Sequence, residues 1–234
     1  MAATYKRVLI KLSGEALAGE KGFGIDHEVL NRVAGEIVSV AKTGIQIALV
    51  IGAGNFWRGR QGSDMNRATA DHMGMLATAL NALAMQDAFD RLGYPSIVQS
   101  ALTLGSVAEP FHLRRAISAL REGKIVIFSC GTGSPFFTTD TGAALRAAEI
   151  EADALLLAKN VDGIYDSDPK KNPNAKKYDK ISYMDIIEKG LKAIDLSAAA
   201  MCMENKIPVI AFALFEKESI KKAVSGEPIG TIIE

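Results

Sequence analysis

Several short loops of this chain combine small residues, hydroxyl groups and a few charges directly after an apolar run. The first of them is Lys11-Leu12-Ser13-Gly14. A lysine at the end of a strand can meet a phosphate group as a point charge, while the backbone amides of Ser13 and Gly14 can approach the anion closely. The alternative interpretation is a strand-edge lysine whose ammonium group extends into water.

The second loop, Gly52-Ala53-Gly54-Asn55, follows another apolar run and is rich in glycine. Glycine allows positive φ angles and a close approach of the backbone, and both favour the binding of an anion by successive amides. Arg58 adds a planar, fork-shaped donor that suits phosphate oxygens. A plain turn and a surface arginine are the alternatives at these positions.

The third loop, residues 131–140, has the sequence GTGSPFFTTD. It combines two glycines, four hydroxyl groups, two adjacent phenylalanines and an aspartate where a strand passes into a helix. Thr139 or Asp140 is predicted to cap that helix, whose first amides favour negative charge. In the alternative interpretation Asp140 serves only as a cap, and Phe136 and Phe137 pack in the core.

The fourth loop, after the apolar run 154–157, presents a lysine, an aromatic residue and carboxylates. Such a set suits a purine nucleotide with its metal ion, whereas an Asp-Gly pair is equally typical of a tight turn. The lysine-rich segment 170–177 is predicted to be a solvated excursion, with a phosphate clamp as the alternative. The members of the set are Lys159, Asn160, Asp162, Gly163, Tyr165 and Asp168.

Alternating strands and helices would position these loops, and the hydrophobic pattern predicts them. The strand runs are apolar almost throughout, as expected for strands covered on both faces. They span residues 8–12, 45–51, 96–99, 125–129, 154–157 and 209–212. Helices are predicted at 26–42, 114–121, 141–151, 182–189, 197–205 and 218–224, and along one apolar helix face formed by Met73, Leu76, Leu80 and Leu83. This alternation predicts a three-layer α/β/α sandwich with a central, mostly parallel sheet, in which ligands bind where the strand ends open into loops.

Length and composition bound the class of protein. The 234 residues are 48% hydrophobic, which suits one large α/β domain. Lysine plus arginine and aspartate plus glutamate each number 27, so a broadly basic surface for nucleic acid is not expected. Cys130 and Cys202 form neither a disulfide framework nor a metal-binding spacing. Because no signal peptide or membrane-length apolar run is seen, we expect a cytoplasmic protein without membrane or nucleic-acid partners.

Three common nucleotide-binding signatures are missing from the sequence, namely GxxxxGK[ST], the HRD/DFG pair and GxGxxG after a strand. Six other segments, taken in order, resemble the bacterial uridylate (UMP) kinases of the amino acid kinase superfamily. They are KLSGEAL at 11–17, GFGID at 22–26, IGAGNFWRG at 51–59, ADHMGMLAT at 70–78, GTGSPFFTTD at 131–140 and VDGIYDSDP at 161–169. Two residues depart from the family pattern. Ala53 replaces a glycine, so we expect it to avoid a positive φ, and Ser134 stands where many members carry asparagine.

The resemblance implies the fold and the reaction. The fold would be the amino acid kinase-like sandwich, with residues 1–234 forming a single domain. Roughly residues 1–150 would form the UMP side and residues 151–234 the ATP side. The reaction would be the reversible transfer of the γ-phosphoryl group of ATP to UMP, giving UDP and ADP for UTP and CTP synthesis. Mg²⁺ would be carried by ATP rather than held by a metal site of the protein.

The resemblance also implies roles for individual residues. The catalytic residues would be Lys11, Arg58 and Asp140. The residues that bind ATP would be Lys11, Leu12, Ser13, Gly14, Gly54, Arg58, Lys159, Tyr165 and Asp168. The residues that bind UMP would be Ala53, Asp71, Thr132, Gly133, Ser134, Pro135, Phe136, Phe137, Thr138 and Thr139, with Asp71 on the ribose hydroxyls.

Assembly and regulation are implied by the resemblance alone. Members of the family are typically homohexamers that are activated by GTP and inhibited by UTP. The segment associated with GTP consists here of Lys21, Gly22, Phe23, Gly24, Ile25 and Asp26.

The sequence is also compatible with two other functions. A second member of the superfamily could phosphorylate a carboxylate or a carbamate, but such enzymes lack the PFFTT segment at 135–139. A non-catalytic nucleotide-binding protein could share the fold, but it would be expected to lose the charges of Lys11, Arg58 and Asp140, which are all present.

Overall fold

A nine-stranded sheet forms the centre of the structure, a computed structural model that describes residues 4–57, 65–169, 171–191 and 193–234. The strands in chain order are β1 (Arg7–Leu12), β2 (Gln46–Ile51), β3 (Ser96–Ser100), β4 (Glu109–Pro110), β5 (Ile125–Ser129), β6 (Ala154–Lys159), β7 (Ile164–Tyr165), β8 (Lys177–Tyr178), β9 (Lys180–Ile181), β10 (Val209–Ala213) and β11 (Thr231–Ile233). Strands β7 and β8 form a separate pair outside the nine-stranded sheet. The order across the sheet is β4-β3-β5-β2-β1-β6-β10-β11-β9. Neighbouring strands are parallel except for β10 and β11, which confirms the mostly parallel sheet.

The central strands are buried on both faces. In β1, Val8 and Ile10 pack into the cluster on one side of the sheet, and Leu9 packs into the cluster on the other side. All three side chains are completely buried. Because both faces need apolar side chains, the strand reads as a continuous apolar run rather than as an alternation.

Helices cover the two faces of the sheet and complete a three-layer sandwich. One layer contains α1 (Gly14–Leu17), α2 (His27–Ala41), α3 (Arg67–Arg91) and, from the end of the chain, α8 (Ser219–Ser225). The other layer contains α4 (Leu113–Arg121), α5 (Thr139–Glu149), α6 (Tyr183–Glu188) and α7 (Leu196–Glu204). A short 3₁₀ helix, Gly19–Lys21, follows α1.

Local capping sets the ends of two helices that frame the site. Asp26 caps α2 by accepting the N–H of Glu28 at 3.0 Å, which confirms the predicted start of this helix. Helix α5 begins at Thr139 rather than at residue 141, and its cap is neither Thr139 nor Asp140. The Thr138 hydroxyl accepts the N–H groups of Asp140 and Thr141 at 3.1 and 3.3 Å, so the helix starts earlier than predicted.

Three of the four residues in the apolar row that predicts α3 lie on the outside of the molecule, and the fourth, Leu83, is half-buried. Met73, Leu76 and Leu80 are 37%, 49% and 51% exposed. The helix buries mainly small residues on its inner side, together with Met85 and Phe89 near its end. The helix is therefore confirmed, but its most apolar face does not cover the sheet.

The carboxyl ends of β1, β2, β5 and β6 point toward the same edge of the sheet, because these strands are parallel neighbours. The four loops singled out in the sequence all leave this edge. Among the described residues, no helix has both the length and the apolar character that a membrane crossing needs.

Candidate active site

The loops after β1 and β2 lie directly against each other. The N–H of Gly52 donates to the carbonyl of Leu12 at 2.9 Å. A Cβ atom on Gly14 would lie 2.3 Å from the oxygen of Gly52 and 2.6 Å from Oδ1 of Asn55, so only glycine fits at position 14 without a shift of its neighbours. Ala53 does not adopt a positive φ, as its replacement of glycine predicts. Since the Leu12 side chain is buried, only its backbone is available at this edge.

Lys11 and Asp140 form an ion pair at the end of β1. Their Nζ and Oδ1 atoms are 2.8 Å apart, and the two side chains are only 18% and 19% exposed. The Lys11 ammonium therefore does not extend into water, and Asp140 does more than begin a helix. Ser13, the next polar residue after Lys11, is the N-cap of α1, but its side chain makes no capping hydrogen bond.

Lys159, at the end of the neighbouring strand β6, adds a second ammonium group to this pair. Its Nζ donates to the carbonyl of Ala193. Burial lowers the pKa of Lys159, while the charge of Asp140 opposes this shift and the charge of Lys11 adds to it. The charges of two ammonium groups and one carboxylate thus act on one another at these strand ends, an arrangement that favours the binding of an anion.

The loop between β5 and α5 is held by its backbone rather than by buried aromatic rings. Phe136 has a positive φ of 73°, and its N–H donates to Oδ2 of Asp71 at 2.8 Å. The side chains of Phe136 and Phe137 are 67% and 51% exposed. The interpretation that both phenylalanines pack in the core is therefore wrong.

Asp71, near the start of α3, joins this loop to the helix. Besides the N–H of Phe136, its carboxylate accepts from Nε of Arg67 at 3.0 and 2.9 Å. A carboxylate offers about four acceptor sites, so these three contacts from two donors leave room for a further donor. The Arg67 guanidinium also lies over the ring of Phe136, 5.6 Å from its centre.

The β2 loop, α3 and the β5–α5 loop enclose a pocket of about 260 Å³, here named pocket A. It is lined by Ala53, Gly54, Trp57, Arg67, Ala70, Asp71, Gly74, Met75, Thr78, Gly131, Thr132, Ser134, Phe137, Thr138 and Thr139. Seven of the residues assigned to UMP by resemblance lie in this lining. Gly133, Pro135 and Phe136 belong to the same loop but are not part of the lining.

A second pocket, pocket B, opens beside β6 and has a volume of about 450 Å³. It brings together Lys159, Tyr165 and Asp168, three of the residues assigned to ATP, with Val161, Gly163, Ile164, Asp166, Ser167, Pro169, Lys189, Gly190, Leu191 and Ala193. The Tyr165 hydroxyl donates to Oδ1 of Asp162 at 2.7 Å, and Lys177 reaches Oδ2 of the same residue at 3.2 Å. Ile164 pairs with Tyr178 and Tyr165 with Lys177 as the antiparallel strands β7 and β8, so the segment is more than a tight turn.

The assignment of the chain follows from a match along most of its length. Residues 6–212 match the model of the amino acid kinase family. The chain belongs to this family.

Solved structures of similar proteins extend over nearly the whole chain. A UMP kinase from Bacillus anthracis is 38% identical with a TM-score of 0.95, and the alignment covers 98% of this chain and 96% of that one. A UMP kinase from Ureaplasma parvum is 37% identical with a TM-score of 0.93 over 100% of both chains. The uridylate kinase from Archaeoglobus fulgidus is 30% identical with a TM-score of 0.72, covering 97% of this chain and 99% of that one. The expected amino acid kinase fold is confirmed.

Asp195 is a residue of this family member that the sequence did not single out. Its carboxylate accepts the Thr141 hydroxyl at 3.1 Å and also the Thr138 hydroxyl, and it caps α7 by accepting the N–H of Ala198 at 2.9 Å. It therefore ties the start of α7 to the start of α5, beside Asp140. An aspartate before a helix is a typical cap, so the sequence held no signal for the contacts with α5.

The segment assigned to GTP by resemblance, residues 21–26, lies against the β2 loop. The N–H of Gly24 donates to the carbonyl of Asn55 at 2.9 Å, and the rings of Phe23 and Phe56 meet edge to face at 5.8 Å. Neither pocket A nor pocket B includes this segment in its lining. Arg58, assigned to catalysis and to ATP, lies outside the described residues.

Proposed function

We propose that this protein is a UMP kinase, which transfers the γ-phosphoryl group of ATP reversibly to UMP and so supplies UDP for UTP and CTP synthesis. The observation that carries the proposal is the position of the Lys11–Asp140–Lys159 cluster among the strand ends that also open into pockets A and B. The similarity to UMP kinases over nearly the full length of the chain supports the same substrates.

On the acceptor side, pocket A would hold UMP. Asp71 would accept the ribose hydroxyls with the acceptor capacity that Arg67 and Phe136 leave unused. The loop from Thr132 to Thr139 would contact the base and the phosphate, and Ala53 would meet the phosphate with its backbone. Most of this side comes from residues 1–150 of the single domain.

On the donor side, pocket B would hold ATP, with Tyr165 and Asp168 at its adenosine part and Lys159 toward its phosphates. The phosphates would extend toward the backbone of Ser13 and Gly14 and toward Gly54, with Arg58 at the junction of the two substrates. Residues 151–234 would supply most of the nucleoside contacts, while the phosphates would cross to the β1 and β2 loops.

Electrostatic repulsion is the main obstacle to this reaction. Two unit charges about 4 Å apart repel by about 1 kcal/mol in water and by about 4 kcal/mol at an effective dielectric constant of about 20. Lys11 and Lys159, together with backbone amides, would neutralise the two phosphates so that they can meet in line. The attacking phosphate oxygen is already ionised, so no general base is required. Asp140 would therefore orient Lys11, which it contacts at 2.8 Å.

Mg²⁺ fits this site as a companion of ATP. Among the residues that the structure describes, no three histidine, cysteine, aspartate or glutamate side chains converge as a metal site. Phosphate oxygens and water are the ligands that Mg²⁺ prefers besides carboxylates, and Asp140 would reach the ion through a bound water. When bound, the ion would neutralise phosphate charge.

Assembly as a homohexamer, activation by GTP and inhibition by UTP complete the proposal. Met73, Leu76 and Leu80 support assembly, because an exposed apolar row is typical of a surface that another chain covers. Residues 21–26 contact the β2 loop, so GTP bound at this segment would act on the loop that faces the phosphates.

The decisive experiment measures ADP release from ATP with UMP, with acidic amino acids and with carbamate as acceptors. We expect release with UMP alone. Release with a carboxylate or carbamate would assign the chain to another activity of the family. Nucleotide binding without release under any of these conditions would make it a non-catalytic binding protein.

A further inference from the structure

Two buried asparagines form a reciprocal pair beneath the β2 loop. Asn55 and Asn81 are 1% and 0% exposed. Nδ2 of Asn55 donates to Oδ1 of Asn81 at 2.9 Å, and Nδ2 of Asn81 donates to Oδ1 of Asn55 at 2.8 Å. Asn81 belongs to α3 and Asn55 to the loop, so the pair joins the helix to the glycine-rich loop.

The second hydrogen of each amide group holds a backbone carbonyl. Asn81 donates to the oxygen of Gly52 at 2.7 Å, and Asn55 donates to the oxygen of Gly24 at 2.7 Å. Both side-chain amides thus use both of their donor hydrogens. Because buried polar groups need partners, this closed set of hydrogen bonds specifies one arrangement of the loop.

The carbonyl of Gly52 fixes the direction of the next N–H group. In a planar trans peptide the C=O and N–H bonds point in opposite directions. Holding the Gly52 oxygen against Asn81 therefore turns the N–H of Ala53 away from Asn81. Ala53 lines pocket A, and its N–H makes no hydrogen bond with another described residue. An anion in the pocket would therefore find this donor unused by the described residues.

We propose that Asn81, acting through Asn55 and Gly52, is a positioning residue that aims the backbone of the β2 loop at the phosphate of the acceptor. The inference rests on the proposed function. Neither asparagine lines pocket A or pocket B, so neither touches the substrates and both act through the loop. The same pair holds Gly24, so it also fixes the 21–26 segment relative to the loop.

The test uses the full-length Asn81→Asp variant, which keeps the size of the side chain but replaces the donor to Gly52 with a carboxylate oxygen. We expect kcat with UMP to fall by about 10²-fold, since a displacement of about 1 Å at a reacting group has this effect. Met85→Ala, a truncation at a buried position of the same helix, is the matched control for lost stability. It is expected to lower the unfolding temperature but to leave kcat within threefold of the parent.

A binding measurement separates positioning from stability. Calorimetry gives the Kd for uridine divided by the Kd for UMP. This ratio reports how much the phosphate group adds to the affinity, and so how well the loop holds phosphate. We expect Asn81→Asp to lower this ratio by at least tenfold while the Kd for uridine stays within threefold. If Asn81→Asp does not fold, Asn55→Asp is measured in the same way, with the same expectations.

The outcomes distinguish the two proposals. A parent protein that neither binds nor phosphorylates UMP contradicts the proposed function and this inference with it. In a second outcome, the parent protein is active with UMP while the variants keep both kcat and the ratio of Kd values within threefold of the parent. That result overturns this inference but not the proposed function. Equal losses of kcat in Asn81→Asp and Met85→Ala also overturn it.

Discussion

The short contact between Lys11 and Asp140 sets the charge at the proposed reacting phosphate. A lysine with a fixed carboxylate partner keeps its ammonium group in one place, from which its charge also acts on Lys159. Since burial lowers the pKa of Lys159, an incoming phosphate would stabilise its charged form. The cluster is thus prepared for an anion before any substrate binds.

Lys11→Met is expected to lower kcat by 10²–10³-fold while leaving UMP binding nearly intact. Loss of charge stabilisation in a transition state typically costs about 3–4 kcal/mol. Steady-state kinetics at saturating substrates measures the effect, with Lys42→Met, at an exposed position after α2, as the control. A Lys11→Met enzyme within threefold of the parent kcat would remove Lys11 from the proposed mechanism.

Asp71→Ala is expected to act mainly on the affinity for UMP. Hydrogen bonds to a charged group contribute about 1.5–3 kcal/mol, so KM for UMP should rise by roughly 10–150-fold. The variant also releases the N–H of Phe136 and the guanidinium of Arg67. Asp90→Ala, at the exposed far end of the same helix, should leave this KM unchanged. An unchanged KM in Asp71→Ala at saturating ATP would exclude a ribose contact.

At the scale of the elements, the approach of the β1 and β2 loops depends on a missing side chain. Gly14→Ala would place a Cβ 2.3 Å from a backbone oxygen. We expect a loss of about 1–3 kcal/mol in the free energy of unfolding and a large loss of kcat. Gly35→Ala is the matched control, because a Cβ there meets nothing within 4 Å and α2 should gain about 0.5–1 kcal/mol. Equal stability of the two variants would contradict the close contact.

The β5–α5 loop is expected to read the base. The kcat/KM for UMP should exceed the kcat/KM for CMP by about 10³-fold or more. Uracil presents an N3–H donor and an O4 acceptor, whereas cytosine presents an N3 acceptor and an N4 amino donor. A buried polar group left unpaired costs about 1–3 kcal/mol, and sites built on hydrogen bonds discriminate by up to about 10⁴–10⁵. Asp71 and the Thr138 cap, rather than buried phenylalanines, hold the loop for this task. Rates with UMP and CMP within tenfold would mean that the loop does not read the base.

At the scale of the whole molecule, the apolar row on α3 is unusual for the surface of an isolated chain. We expect a closed homohexamer in solution, so light scattering should give six times the chain mass of 24.9 kDa. Leu76→Lys combined with Leu80→Glu should shift the protein to smaller species, because both side chains are exposed in the single chain. A single species of 24.9 kDa for the parent protein would refute the assembly.

The elements of the fold, and the edge of the sheet that carries the site, could be predicted from the amino-acid sequence. Strands buried on both faces leave a continuous apolar signal, and β1, β2, β5 and β10 lie within about one residue of the predicted runs. Helix α2 carries its own cap at Asp26 and ends before Gly44, so its bounds were also predictable. These features depend on residues that are near each other in the chain.

Which distant residues meet, and which helix faces are covered, depends on the folded chain. An apolar row on a helix has the same pattern whether it covers a sheet or faces outward, so the orientation of α3 could not be read from Met73, Leu76 and Leu80. Asp195 and Asn81 look like an ordinary cap and an ordinary helical residue until α5 and the β2 loop are brought against them. Their partners are set by the register of parallel strands and by the packing of the helices on the sheet, which depend on the whole chain at once.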